Sequence, residues 1–327
     1  MLAIHVDNVG PESVLRFAHT PDPILRPSDV LVRNRAAGVN RTDLSLRRGA
    51  HGDADWGDSP LIGLEVAGEI VALGSDVAGW RTGDRVMAVV GGGGYAQLSR
   101  VDHRMLMPIP AGMDDIQAAA IPEVFITAHQ ALCHLGELRQ DETLLLHAAA
   151  SGVGTAAVQL ARAIGARVIA TSSASKHARL MELGVSHCID RGAEDFEPVV
   201  ASLTESRGVD VILDFVGASY VERNIRSLAY GGRLVQAGLM DGNASQPLPM
   251  SRLVSRHLKI MGTVMKSRPL AEKCAMTRRF ADRWLAEFAT GRLQPVVDAV
   301  FPITQAEAAH QRVASNAGFG KVVLSIA

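Results

Sequence analysis

The stretch Leu144-Leu-Leu-His-Ala-Ala-Ala-Ser-Gly-Val-Gly-Thr-Ala-Ala-Val-Gln-Leu-Ala161 joins an apolar run, a small-residue turn and an Ala-rich amphipathic segment. That is the pattern of a strand, a tight loop and a helix. Its turn carries the spacing Ala149-x-Ser151-x-x-Gly154, a variant of the glycine fingerprint that receives a dinucleotide pyrophosphate. Small residues let the backbone approach the phosphates, and the helix offers them its free N–H groups and positive dipole end. On this reading Ala149, Ser151, Gly152, Val153 and Gly154 bind a cofactor. The plainer alternative is a βα turn packed against its sheet. About 20 residues after such a fingerprint an acid usually bonds the ribose hydroxyls, but the run there is Thr171-Ser-Ser-Ala-Ser-Lys176. A carboxylate would repel a 2′-phosphate, whereas hydroxyls and a cation attract it. Ser173 and Lys176 therefore favour NADPH over NADH.

The elements that must position these residues follow from periodicity. Up to about residue 120 the chain reads as short strands with Gly and Pro turns, which suggests a small barrel-like module. Its strands include Leu2–Val6, Asp29–Asn34 and Gly63–Leu73, and Asp43–Arg48 reads as a short helix. Pro122 opens a helix that leads into the next region. From Leu144 strands alternate with helices, the signature of a doubly wound parallel sheet of six strands. Helices are expected at Lys176–Leu183 and Tyr220–Leu228, and strands at Gly232–Gly238 and Leu258–Val264. Ligands of such sheets bind outside the carboxyl ends of the strands, which brings in Gly238, Leu239, Met240 and Thr263. A long helix (Ala271–Thr290) and a final strand (Lys321–Ile326) complete the chain. The expected domains are 1–121 with 266–327, and 122–265.

Bulk properties exclude several classes. At 327 residues and 47% apolar content there is ample material for two cores. Aromatic residues are only 4% and Lys plus Arg nearly balance Asp plus Glu, 33 against 34. Neither stacking platforms nor a basic field for nucleic acid is present. No apolar run approaches the ~20 residues that span a bilayer, and the start, Met1-Leu-Ala-Ile-His-Val-Asp7, does not read as a signal peptide. Cys133, Cys188 and Cys274 make neither a zinc spacing nor an even disulfide set, which fits a reducing cytoplasm.

Four stretches carry a resemblance to a known family: Asn40-Arg-Thr-Asp-Leu44, Ala118-Ala-Ala-Ile-Pro-Glu123, Ser151-Gly-Val-Gly-Thr-Ala-Ala157 and Phe319-Gly-Lys-Val-Val-Leu324. Their order resembles the medium-chain dehydrogenase/reductases, and most closely the zinc-free, stress-inducible NADPH quinone oxidoreductase branch. The resemblance implies an α/β protein with a GroES-like catalytic domain, a Rossmann domain and a homodimer. It places Asn40 beside the reacting ring as an amide donor to an oxyanion, Thr127 against the nicotinamide, and Asn316 and Lys321 in a segment that closes on the cofactor. It puts His51 where relatives often carry a Tyr, as a donor to the product oxygen, and Arg191 where a 2′-phosphate contact is expected. Zinc-dependent relatives carry ligands at the positions of Asn40 and Leu64. Leucine cannot bind zinc and Asn lacks the favoured thiolate, so no metal is expected. Hydride transfer to a simple ketone makes an alkoxide of conjugate-acid pKa ~16, whereas a quinone yields an oxyanion closer to tyrosine, ~10. Quinone reduction is therefore the expected activity. Reduction of alkenals or enones, and a low-turnover NADPH-binding structural or regulatory role, stay open.

Overall fold

The computed structural model describes residues 1–49, 59–242, 244 and 247–327. It divides into two units, Met1–Ile126 with Lys266–Ala327, and Thr127–Met265. The first break falls inside the helix that Pro122 opens, a few residues after position 121. Among the described residues no helix is long and apolar enough to cross a membrane.

The first unit starts with an antiparallel pair, β1 (Leu2–Asp7) and β2 (Val14–His19). Then come β3 (Asp29–Val39), helix α1 (Arg41–Arg47), β4 (Glu65–Leu73), β5 (Arg85–Val89), β6 (Leu98–Asp102), β7 (Met107–Pro108) and α2 (Asp115–Ala118). Helix α3 (Pro122–His129) carries the chain into the second unit and continues as a π-helical stretch over Gln130–Leu135.

The second unit alternates strictly: β8 (Thr143–Leu146), α4 (Gly152–Ile164), β9 (Arg167–Ser172), α5 (His177–Leu183), β10 (His187–Asp190), α6 (Phe196–Leu203), β11 (Val209–Asp214), α7 (Val221–Ser227), β12 (Leu228–Gln236), α8 (Met250–Ser255) and β13 (Lys259–Gly262). The chain then returns to the first unit with α9 (Leu270–Ala289), β14 (Val297–Pro302), α10 (Ala306–Ala314) and β15 (Lys321–Ser325).

The second unit's sheet has the order β10-β9-β8-β11-β12-β13 and is parallel throughout. Its centre is the leucine run of β8, buried on both faces as a parallel strand with helices on either side must be. Gly165 and Gly184 end α4 and α5 in the left-handed conformation that their positions after an apolar run suggest. Leu145, Ile169, Ile189, Ile212 and Leu234 form the core with Phe196, Val200 and Ile225 from the helices. Strand β12 begins at Leu228, four residues ahead of the expected Gly232. The break that Tyr230-Gly-Gly232 suggests is absorbed as a register shift against β11 instead. The 220–228 helix is correspondingly shorter, and Ala218–Tyr220 forms a separate 3₁₀ turn.

The first unit's sheet runs β14-β15-β3-β4-β5-β7, with β6 also paired to β3. Strands from both ends of the chain therefore share one core, in which Ile4, Val39 and Tyr95 meet Ala309, Val322 and Leu324. In α9 Phe280, Trp284 and Phe288 are buried, and Phe288 meets Phe125 of α3 edge-on at 4.9 Å. The three cysteines are free and half-buried.

Candidate active site

In the second unit the fingerprint folds as its spacing requires. Ser151 caps α4, its Oγ accepting from Gly154 N at 3.0 Å. A Cβ at Gly154 would lie 2.4 Å from Ala149 O, so only glycine lets the helix pack this closely on the loop. The N–H groups of Gly152 and Val153 precede any intrahelical partner and sit at the positive end of a 13-residue helix. Ser151 is exposed and Gly152 and Val153 are partly so. An anion fits this end by shape and by charge.

Next to it the ends of β9 and β10 bring Ser173, Lys176 and Arg191 to one corner. Arg191 N donates to Ser172 O and Lys176 N to Ser173 O, each at 3.0 Å. The Arg191 side chain is exposed and those of Ser173 and Lys176 are half-buried. No acid ends β9. One acid, Asp190, ends β10, with its Oδ1 accepting from Gly192 N at 3.0 Å in the turn that follows. Sequence reasoning missed Tyr220. Burial pushes its hydroxyl pKa up, and the charges of Arg223 and Arg191 act against that rise, so it belongs to the same corner. Its signal was hidden because it arrives from the far side of β11.

The carboxyl-edge positions also gather as expected. Met240 N donates to Phe215 O and Thr263 N to Gln236 O, both at 3.0 Å, and Gly238 O accepts from Gln236 Nε2 at 2.7 Å. Leu239 and Met240 are 58% and 46% exposed, an apolar surface at this edge. Thr127 is the first residue of this unit and is half-buried on α3. Free N–H groups, a corner that carries Lys176 and Arg191, and an apolar shelf thus lie along one edge, and a nicotinamide dinucleotide fits them.

The first unit holds a different kind of site. Glu65 is 0% exposed and Lys321 is 4% exposed, and they form an ion pair at 2.5 Å. Lys321 Nζ also donates to Asn40 Oδ1 at 2.8 Å and to Val39 O at 3.0 Å. Asn40 Nδ2 donates to Glu65 Oε1 at 2.9 Å and to Gly38 O at 3.4 Å. The other Glu65 oxygen accepts from Glu123 N at 2.8 Å, at the start of α3. Gly38 makes room for this arrangement, since a Cβ there would meet Glu65 Oε1 at 2.3 Å. Beside it Asp43 accepts from Asn40 N and from the Tyr95 hydroxyl, each at 2.8 Å. Burial pushes Asp43 up to about 6, against the pull of those two bonds and of Lys321. Burial likewise raises Glu123 to about 7, helped by the neighbouring Glu65 charge.

This geometry bears on two of the expected site residues. Both amide hydrogens of Asn40 are committed inside the cluster, so Asn40 is not a donor to an oxyanion in this arrangement. The Lys321 ammonium is buried among Glu65, Asn40 and Val39. Asn316, the other residue expected to close on the cofactor, is exposed, and its Oδ1 accepts from Arg41 at 2.5 Å. His51 lies outside the described residues. A zinc ion does not fit here. Leu64 belongs to the core, the Asn40 oxygen faces an ammonium, and that ammonium already neutralises Glu65. Among the described residues no group of three or more His, Cys, Asp or Glu is arranged to hold a metal.

Comparison with known proteins agrees with both halves. Residues 26–111 match the alcohol dehydrogenase GroES-like domain and residues 152–282 match the zinc-binding dehydrogenase domain. The spectinabilin polyketide synthase system protein NorB of Streptomyces orinoci is 36% identical over 307 residues, 92% of this chain but 13% of its own length. The chain thus spans about an eighth of that relative. Among solved structures, an NAD-dependent alcohol dehydrogenase superposes with TM-score 0.88 at 32% identity, over 100% of both chains. The CurK enoyl reductase gives 0.86 at 26%, covering 100% of this chain and 99% of its own. The quinone oxidoreductase from Coxiella burnetii gives 0.81 at 28%, with the same coverage. With a GroES-like domain ahead of a parallel six-stranded nucleotide domain and a full-length match to an alcohol dehydrogenase, the chain belongs to the medium-chain dehydrogenase/reductase family of oxidoreductases.

Proposed function

We propose that the chain is an NADPH-dependent reductase that passes a hydride to a quinone without a metal. The observation that carries this reading is the Lys321 ammonium, bonded to Glu65 and to Asn40, one of the two positions that carry zinc ligands in zinc-dependent relatives. A Lewis acid has no room there, and the donors of the cluster are taken up by its own acceptors. A fitting acceptor therefore spreads the arriving charge over its own conjugated system. Each pKa unit by which the product is the stronger acid is worth about 1.4 kcal/mol.

Bound NADPH supplies the hydride from its nicotinamide ring. Ser151, Gly152 and Val153 hold the pyrophosphate at the start of α4. Ser173, Lys176 and Arg191 hold the 2′-phosphate, with Arg191 able to bond it as a fork. Leu239, Met240, Gly238, Thr263 and Thr127 line the nicotinamide end and exclude water from it. The proton that follows the hydride comes from solvent or from His51. A homodimer forms through β13, an edge strand of the parallel sheet with Ile260 39% exposed on it. Free cysteines suit the reducing cytoplasm.

A second reading is supported by the polyketide synthase relative and the CurK enoyl reductase: the acceptor is a conjugated enone or enoyl group, whose charge delocalises into an enolate. One panel separates the two. NADPH oxidation is followed at 340 nm with quinones, enals and enoyl thioesters. Turnover confined to quinones supports the first reading and turnover confined to the others supports the second. Tight NADPH binding with every acceptor inert leaves a binding protein. Equal affinity for NADPH and NADH would overturn the cofactor assignment, and a monomer in sedimentation the dimer.

A further inference from the structure

A buried chain of hydrogen bonds crosses the carboxyl edge of the parallel sheet, and the cofactor contacts above do not use it. Thr171 on β9 lies 3.0 Å from His147 Nδ1, through its Oγ1. His147, directly after β8, places Nε2 2.7 Å from Asn224 Oδ1 on α7. Asn224 Nδ2 donates to Oδ2 of Asp214, the last residue of β11, at 3.0 Å. All four side chains are buried. The direction of the chain follows from chemistry. Asp214 only accepts, so Asn224 turns its NH2 toward it and must accept at Oδ1 from His147 Nε2–H. The neutral ring then accepts at Nδ1 from the Thr171 hydroxyl. Burial holds the imidazole below its ordinary pKa, and the charged groups that act on it are Asp214 and Arg223. Phe196 and Tyr220 flank the ring, each with centroids 4.8 Å away.

The strands β9, β8 and β11 are neighbours in the sheet, and each runs straight into a loop of the cofactor edge. Ser173–Lys176 follows β9 and Ala148–Ser151 follows β8. Phe215–Gly217 follows β11, where Asp214 also accepts from Val216 N at 2.6 Å and Gly217 N at 3.2 Å. Ala148 has φ +52°, a left-handed conformation that a residue with a Cβ adopts only when its surroundings impose it. Its neighbour His147 is anchored through both ring nitrogens. We propose that Thr171, His147, Asn224 and Asp214 form a positioning chain that fixes the spacing of the three loops receiving the adenosine and pyrophosphate of NADPH. This rests on reading that edge as the NADPH site.

The test measures the Kd for NADPH, by nicotinamide fluorescence, and steady-state kinetics on the full chain carrying His147→Leu, His147→Gln, Asn224→Leu or Thr171→Val. His147→Leu and Asn224→Leu should weaken NADPH about tenfold or more, the scale of one hydrogen bond to a charged group. His147→Gln keeps one donor and one acceptor and should recover most of that loss. Thr171→Val is isosteric and spares the fold; it should weaken NADPH about threefold, a neutral bond's worth. In each case KM for NADPH rises far more than kcat at saturation falls. Folded His147→Leu and Thr171→Val proteins with unchanged Kd overturn the positioning chain alone. So does a fall in kcat with Kd untouched. A wild-type chain that does not bind NADPH overturns the cofactor reading and this inference together.

Discussion

The two units bury polar groups in opposite ways. In the second unit, three neutral side chains lead to one carboxylate, and every donor has a single acceptor to point at. In the first, the carboxylates of Glu65 and Asp43 share a buried cluster with one ammonium, and charge rather than direction holds it together. A neutral chain fixes geometry and is indifferent to pH in the ordinary range. A charged cluster is sensitive to every proton and to the loss of any partner. The first arrangement suits spacing loops around a ligand, the second suits anchoring chain segments.

The largest test of that contrast is Lys321→Met. It strands the Glu65 carboxylate in the core, and breaking a buried pair on one side costs about 3–5 kcal/mol. Denaturant unfolding should show a loss of that size, and a loss below about 1 kcal/mol would mean that the pair is not the anchor described. The second test is pH. Asp43 has its pKa raised from 3.8 to about 6 in the fold, so the native state binds the proton more tightly than the unfolded chain. Its contribution is fully present below pH ~4 and is lost as pH rises through about 6, about 3 kcal/mol in all. Asp43→Asn should remove that downward slope between pH 4 and 6 in unfolding curves; an unchanged slope would assign it elsewhere. On the nucleotide edge effects are smaller and ligand-specific. Arg191→Ala should raise KM for NADPH by about 1.5–3 kcal/mol in free-energy terms, the worth of a charge-assisted bond, with KM for NADH unmoved. A parallel rise for both cofactors would remove Arg191 from the 2′-phosphate. Ser151→Ala deletes the α4 cap and should cost about 1 kcal/mol of stability, readable as a lower Tm.

What could be read from residues alone was whatever is local. The leucine strand, the Ala149–Gly154 turn and the glycine helix ends each sit within a few residues of their cause, and all formed where their patterns place them. Strand β12 did not, because its early start depends on a register shift that only the β11 partner imposes. The candidate site divides in the same way. Ser173 and Lys176 follow from a missing acid in one short run. Lys321 does not, because its partner Glu65 is 256 positions away and nothing near either residue announces the other. The Asn40 amide looks available for the same reason, until that ion pair is in place. Tyr220 reached the corner of Arg191 through topology, beyond any spacing rule.

Glu65 gathers donors from residues 40, 123 and 321, and this sets an order of events during synthesis. The second unit is one continuous segment and can collapse as it leaves the ribosome. The first unit cannot settle at that stage: until residue 321 emerges, β3 lacks its β15 neighbour and a carboxylate waits in an apolar core without its counter-ion. The stretch around residue 321 is therefore the one that completes the first unit, and the segment that carries β3 and Glu65 must be kept from aggregating until it arrives.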